Sequence, residues 1–279
     1  MHREILVANA AGFCFGVKKA IQKAETMERA SIFGSLIHNP QEVARLASLG
    51  KKIVHSIIEV EDNRVVVTAH GLDVAVLEEI KRKGVEIVDT TCPLVTRIYN
   101  EGWGLQEKGL RIVIIGDPNH VEVKGIASRM KDPIIVNGEE DLGKVPEGSR
   151  IGVICQSTLL MEKFAHIVEK LRIRCAEVMA VDTICKPTKD RQNAAATLSK
   201  QVEVMIVIGG RNSSNTHKLA ITCRHHLPNG TYHIETAQEL DPKWFEGKRK
   251  VGITAGASTP DYLIEEVIAR IREYDTAGQ

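Results

Sequence analysis

The stretch Asp89-Thr90-Thr91-Cys92-Pro93-Leu94-Val95-Thr96 decides the reading of this chain. Before it runs Val85-Glu86-Ile87-Val88, apolar and β-branched. After it, Leu94, Val95, Ile98 and Tyr99 recur at helical spacing. The pattern predicts a strand, a cysteine and a helix, with Pro93 in a first helical turn, where its missing N–H costs nothing. The same arrangement occurs twice more. Ile5-Leu6-Val7-Ala8 leads to Gly12-Phe13-Cys14-Phe15-Gly16 and a helix pattern at Val17, Ala20, Ile21 and Ala24. Val178-Met179-Ala180-Val181 leads to Asp182-Thr183-Ile184-Cys185, with a helix expected through Ala194 to Leu198. The cysteines stand near a third of the chain apart, which lets three equivalent strands end at one point.

Working outward, each cysteine opens a unit of similar content. Each unit carries strands alternating with helices and two polar loops at strand ends. In unit one these loops are Ile37-His38-Asn39-Pro40 and Thr68-Ala69-His70-Gly71, with helices expected at Glu42 to Leu49 and Asp73 to Lys83. In unit two they are Gly116-Asp117-Pro118-Asn119-His120-Val121-Glu122 and Cys155-Gln156-Ser157-Thr158. In unit three they are Gly209-Gly210-Arg211-Asn212-Ser213-Ser214-Asn215 and Thr254-Ala255-Gly256-Ala257-Ser258. Alternating strands and helices imply parallel sheets. The expected fold is therefore α/β: three small parallel-sheet lobes in a pseudo-threefold arrangement around a central site. The lobes are residues 14–91, 92–184, and 185–279 completed by the N-terminal strand within 1–13. Ligands of such sheets lie beyond the carboxyl ends of the strands, where all three cysteines and all six loops fall.

Bulk properties exclude several classes. A chain of 279 residues that is 43% hydrophobic has ample material for a core. The net charge is +1, and no basic tract, RNP-like aromatic run or zinc-finger spacing is present, so no nucleic-acid partner is expected. Apolar runs such as Ile112–Ile115 and Val204–Ile208 are too short to span a bilayer, so no membrane association is expected. The chain enters a strand within a few residues, without the basic and apolar segments of a secretory signal. A cytoplasmic location follows, and there six cysteines argue for thiols or metal ligation over disulfides.

On the residues alone, Cys14, Cys92 and Cys185 have two readings: small buried side chains, or an iron–sulfur or Cys₃ metal site with one open position. The threefold repeat favours the second, and helix N-termini beside the cysteines favour negative charge there. Cys155, Cys175 and Cys223 read as core or surface thiols. His38, His70, His120, Ser213, Ser214, Asn215 and Ser258, with glycine-rich backbone, read together as an anion pocket. Taken one by one, each histidine is an ordinary surface or capping residue. Gly209-Gly210 is neither a Walker motif nor G-x-G-x-x-G, so nucleotide binding has little support. Glu122 reads as the carboxylate these loops supply, either a solvated helix-start acid or a proton donor beside a closed metal centre.

With these motifs in view, the sequence resembles the LytB family of 4-hydroxy-3-methylbut-2-enyl diphosphate reductases, from Gly12-Phe13-Cys14 to Thr254-Ala255-Gly256-Ala257-Ser258. Thr90-Thr91-Cys92-Pro93-Leu94-Val95 and Asn212-Ser213-Ser214-Asn215 carry most of the likeness. The resemblance implies a [4Fe-4S] cluster on Cys14, Cys92 and Cys185, with a unique iron facing an allylic alcohol diphosphate. Two electrons and protons would remove its hydroxyl as water, giving isopentenyl and dimethylallyl diphosphate in the last step of the non-mevalonate pathway. It also implies His38, His70, His120, Ser213, Ser214, Asn215 and Ser258 as diphosphate binders, Glu122 as proton donor, and Ser157 and Thr158 as hydroxyls near the substrate alcohol. Reduced ferredoxin or flavodoxin would be the electron donor, and a monomer is expected. The sequence departs from the family at Ser157 (often Thr), Phe15 (often Ala) and Val121 (often Pro). Rival readings are an iron–sulfur redox sensor, an aconitase-like hydro-lyase and a metal-free phosphate-binding scaffold; the diphosphate loops argue against the first two.

Overall fold

Among the described residues three four-stranded sheets form, and every strand pair in them is parallel. The computed structural model describes residues 2–277. In chain order the elements are β1 (Glu4–Val7), α1 (Phe15–Glu25), β2 (Ala30–Phe33), α2 (Pro40–Ser48), β3 (Lys51–Val54), β4 (Arg64–Val67), α3 (Val74–Arg82), β5 (Glu86–Asp89), α4 (Pro93–Glu107), β6 (Arg111–Ile115) and α5 (Val121–Ala127). Then come β7 (Ile134–Val136), β8 (Arg150–Cys155), α6 (Met161–Arg174), β9 (Glu177–Ala180), α7 (Lys186–Ser199), β10 (Val204–Ile208), α8 (Ser214–His226), β11 (Thr231–Ile234), β12 (Lys250–Ala255) and α9 (Asp261–Ala277). Short 3₁₀ turns, absent from the periodic pattern of the sequence, lie between β3 and β4 (Ile57–Glu59), β7 and β8 (Glu139–Lys144), and β11 and β12 (Ala237–Glu239 and Pro242–Phe245).

The sheets repeat one strand order: β3-β2-β4-β5, β7-β6-β8-β9 and β11-β10-β12-β1. The N-terminal strand thus takes the fourth place of the last sheet, with Glu4 opposite Lys250 and Val7 opposite Ile253. In each sheet the fourth strand leads into one of the three repeated cysteines.

The chain divides into two compact units. One comprises Met1–Val17, His38–Val43 and Lys186–Gln279 and holds the β11-β10-β12-β1 sheet. The other comprises Lys18–Ile37 and Ala44–Cys185 and holds the other two sheets. Among the described residues no helix is long and apolar enough to cross a membrane.

Burial explains why the central strands read as continuous apolar runs. In β10, Val204, Ile206 and Ile208 enter one core cluster, while Met205 and Val207 enter another on the opposite face. In β6, Val113 and Ile115 face one cluster, and Ile112 and Ile114 the other. Side chains alternate across a strand, and a parallel sheet covered by helices on both faces has no wet side. Each such side chain contributes roughly 1.5–3 kcal/mol on burial.

Local chemistry sets some element ends differently from expectation. Helix α2 starts at Pro40 rather than Glu42, because Asn39 caps it: its Oδ1 accepts the Glu42 N–H at 2.9 Å.

Gly152 in β8 lies where Leu105 of α4 comes close to the sheet. A Cβ there would lie 2.8 Å from Leu105 Cβ, an atom fixed to its helix backbone. Gly152→Ala is expected to destabilise the protein by about 1–3 kcal/mol through overpacking, read as a lower urea midpoint at unchanged m-value.

Candidate active site

Each repeated cysteine is mounted in the same way. Cys14, Cys92 and Cys185 each immediately precede the first residue of a helix, α1, α4 and α7. The N–H of each donates to a carbonyl two residues beyond the end of a neighbouring strand. Cys14 donates to Ala257 after β12 (3.1 Å), Cys92 to Ala69 after β4 (3.0 Å), and Cys185 to Ser157 after β8 (3.0 Å). The turns before two of them are closed by an aspartate three residues upstream. Asp89 Oδ1 accepts the Thr91 N–H and hydroxyl, and Asp182 Oδ1 accepts the Ile184 N–H. Ahead of Cys14 that position is Ala11, and the turn is made instead by Gly12 at φ 77°. The buried Arg191 braces it by donating to the Gly12 carbonyl at 2.5 Å. Negative charge at these thiols faces helix N-termini, where the peptide dipoles are positive. At Cys92 the side chain makes no capping hydrogen bond to the helix start.

The other cysteines differ. Burial pushes the thiols of Cys155 and Cys223 up to about 12, and Cys155 Sγ also takes a hydrogen bond from Thr183 Oγ1 at 3.4 Å. Cys175 caps the end of α6. All six cysteines are free of disulfides. Among the described residues no three His, Cys, Asp or Glu side chains form a ready cage for a single ion. Phe15, next to Cys14, is 51% exposed, so its ring fills no core space.

In the unit built on the β11-β10-β12-β1 sheet, three expected pocket residues join up. Ser258 Oγ donates to the His38 carbonyl at 3.1 Å and lies 3.5 Å from Ser213 Oγ. Ser213 caps α8, its Oγ accepting the Thr216 N–H at 3.3 Å. Ser214 Oγ accepts from Lys218 Nζ one turn on. Asn215, in the first turn of α8, is 5% exposed, and neither its amide nitrogen nor its amide oxygen has a hydrogen-bond partner in the protein. Groups of that kind are uncommon in interiors and point to a ligand or water that completes them. Burial holds the His38 imidazole below its ordinary pKa, which keeps it uncharged near neutrality. His233, which no motif in the sequence marks, donates from Nε2 to the Gly209 carbonyl (2.8 Å) and so fixes the start of the Gly209-Gly210 loop.

In the other unit, His70 and His120 meet edge-on with ring centroids 5.7 Å apart. His120 caps α5: its Nδ1 accepts the Glu122 N–H at 3.2 Å, which leaves the ring proton of the neutral form on Nε2. Glu122 is not a loop residue but the second residue of α5, and only 1% exposed. The proline absent at 121 is not needed to place it, because the His120 cap starts the helix. Both Glu122 oxygens face Ser157: Oε1 accepts its N–H at 2.6 Å and Oε2 its hydroxyl at 2.7 Å. Thr158 Oγ1 accepts from Gln156 Nε2 at 3.1 Å, and Gln156 Oε1 also takes the Asp117 N–H at 3.2 Å. Asp117 is a second carboxylate of these loops. It is exposed, and its Oδ1 takes the Asn119 N–H, a turn-closing role legible in the Asp-Pro-Asn run.

The fold and site define a class: an α/β protein of three parallel sheets, with a strand-end cysteine in each and hydroxyl, amide and imidazole groups in the adjoining loops. Residues 5–272 match the model of the family described as LytB protein. The chain is 44% identical to 4-hydroxy-3-methylbut-2-enyl diphosphate reductase of Geobacter metallireducens, an alignment covering 98% of this chain and 99% of that one. It is 40% identical to the protein of the same name from Aquifex aeolicus, over 97% of this chain and 96% of that one. Among solved structures, one described as (E)-4-hydroxy-3-methyl-but-2-enyl diphosphate reductase, the terminal enzyme of the non-mevalonate pathway, matches with TM-score 0.71. It is 39% identical, with 97% of this chain and 99% of that chain covered. The corresponding reductase of Plasmodium falciparum matches with TM-score 0.89 at 26% identity, covering 96% and 88%. The chain belongs to the LytB family.

Proposed function

We propose that this chain reduces 4-hydroxy-3-methylbut-2-enyl diphosphate, removing its hydroxyl group as water with two electrons and two protons. The products are isopentenyl and dimethylallyl diphosphate, at the end of the non-mevalonate isoprenoid pathway. The observation that carries this reading is the threefold recurrence of a cysteine outside any disulfide, held at a helix start by an equivalent backbone hydrogen bond each time, in a chain that matches the LytB family over nearly its whole length.

The donor chemistry fits an iron–sulfur cluster: three thiols with no disulfide partner, one per sheet. Cys14, Cys92 and Cys185 would hold a [4Fe-4S] cluster, leaving one iron without a protein ligand. When bound, the cluster supplies the electrons and a Lewis-acid iron for the departing hydroxyl. The diphosphate is held by His38, His70, His120, Ser213, Ser214, Asn215 and Ser258, groups that are uncharged or weakly basic. Glu122 delivers a proton, and Ser157 and Thr158 orient it. Gln156 Nε2 donates to the Thr158 hydroxyl oxygen and so fixes where that hydroxyl sits. Reduced ferredoxin or flavodoxin is the electron donor this chemistry calls for. The chain is proposed to act as a monomer in the cytoplasm, a compartment that keeps six free thiols reduced. Its building units are proposed to be the three lobes 14–91, 92–184, and 185–279 with 1–13, each holding one sheet.

The test is anaerobic reconstitution followed by EPR and a dithionite-driven assay. A cluster signal with formation of both isomeric diphosphates is expected. A chain that binds the diphosphate without any cluster signal would be a phosphate-binding scaffold instead. A cluster without reduction of the substrate would make it a sensor.

Asn215 offers a sharper check on the diphosphate assignment. Its buried amide lacks protein partners, so Asn215→Ala removes no internal hydrogen bond. Thermal stability is expected to stay level or rise, while substrate affinity falls by about 1–3 kcal/mol. An unchanged affinity would place the diphosphate elsewhere.

A further inference from the structure

Arg129 stands just beyond the end of α5, and the chemistry above leaves it without a role. Its guanidinium joins three pieces of the structure. Nη1 donates to the Gly125 carbonyl of its own helix at 2.6 Å and across to the Leu72 carbonyl, two residues after His70, at 2.8 Å. Cζ lies 4.3 Å from the centroid of the Tyr99 ring, over its face. Tyr99 in turn presses its hydroxyl against the same loop: a Cβ on Gly71 would come within 2.2 Å of Tyr99 Oη. A second strut runs beside the first, Val74 N–H donating to Ser128 Oγ at 3.1 Å. The segment His70-Gly71-Leu72 is therefore fastened to the end of the helix that His120 caps and whose first turn carries Glu122.

We infer that Arg129 is a positioning residue that locks the His70 loop onto α5, so that His70 and His120 present one preformed imidazole pair to the diphosphate. The inference rests on the assignment of those two histidines to the diphosphate pocket. Its physics is that of a charge-assisted bond combined with stacking. A guanidinium can donate to two carbonyls while lying on an aromatic face, and a lysine ammonium cannot do both. Without that lock the loop must be ordered by the ligand itself, and the ordering cost appears in affinity rather than in the chemical step.

The test compares Arg129→Met, His70→Asn and the double variant as cluster-loaded enzymes, with dithionite as electron source and inorganic diphosphate as a competing ligand. Arg129→Met is expected to raise KM and the inhibition constant of diphosphate about tenfold, the loss of one charged hydrogen bond, with kcat within twofold and the EPR signal unchanged. His70→Asn is expected to raise KM alone, and adding Arg129→Met to it is expected to cost less than threefold more, because the two act through one element. An equal Arg129→Met effect in both backgrounds would overturn the inference, as would a wild-type KM for Arg129→Met where His70→Asn is impaired. A wild-type KM for His70→Asn would overturn the pocket assignment, and this inference with it. If Arg129→Met does not accumulate as folded protein, Arg129→Lys is expected to raise KM about threefold, and a wild-type KM there counts against the inference.

Discussion

Replacing Cys14, Cys92 or Cys185 by serine, one at a time, is expected to reduce cluster content and turnover to background. Alanine at Cys155, Cys175 or Cys223 is expected to leave both in place. The two groups of cysteines have different surroundings. The first three are partly exposed, precede helix starts and are tied by their N–H groups to the loop of the neighbouring strand. Cys155 and Cys223 are fully buried in core clusters, and burial keeps their thiols protonated far above neutrality. A ligand must be a thiolate, so those two are poorly suited to iron. Serine keeps the size of cysteine but offers a far weaker ligand, so each substitution tests coordination and not packing. Iron and acid-labile sulfide after anaerobic reconstitution, with the EPR spectrum of the reduced protein, provide the measurement. Normal cluster content in any variant of the first group would remove that residue from the ligand set, and loss of cluster in the Cys175 variant would add it.

The fold was legible in the sequence because its signal is periodic and local. Runs such as Val204–Ile208 and Ile112–Ile115 are apolar at every position since both faces of their sheets are covered, and glycines or prolines punctuate the elements between. The shared setting of Cys14, Cys92 and Cys185, between a strand and a helix, is legible because the unit recurs. What sequence could not provide was pairing across long separations. Nothing in the local pattern says that Glu122 turns inward to Ser157, thirty-five positions on, or that Arg129 reaches Leu72. Glu122 looked like a loop carboxylate because His120, the residue that starts α5, is an unusual cap; serine, threonine, asparagine and aspartate are the usual signals. Asp117 carries only the turn it closes, which is all the Asp-Pro-Asn run signals. The short 3₁₀ turns carry no hydrophobic period of their own and escaped notice for that reason.

Glu122→Gln is expected to lower turnover by about 10²–10⁴-fold, the range for removing a general acid, while cluster and substrate binding persist. The carboxyl is 1% exposed, and both its oxygens are engaged by one residue, Ser157. In the ionised form it accepts the Ser157 N–H and O–H. A proton placed on Oε2 reverses the second bond, and the Ser157 hydroxyl hydrogen is then released to point elsewhere. On the proposed mechanism, Glu122 and Ser157 would act as a two-member relay, holding a proton in a dry place and presenting it from a hydroxyl. Glutamine preserves the geometry: its oxygen accepts the Ser157 N–H and its nitrogen donates to Oγ, so neither the start of α5 nor the Cys185 N–H bond to the Ser157 carbonyl is disturbed. It cannot release a proton. Ser157→Ala leaves the acid but removes the relay and one of its hydrogen bonds, so a smaller loss of roughly tenfold is expected, in line with one buried hydrogen bond. Single-turnover reduction with pre-reduced enzyme isolates the step from electron supply. A rate near wild type in Glu122→Gln would move the proton source to Thr158 or solvent. Loss of the EPR signal in the same variant would make Glu122 a support for the Ser157–Cys185 loop and not an acid.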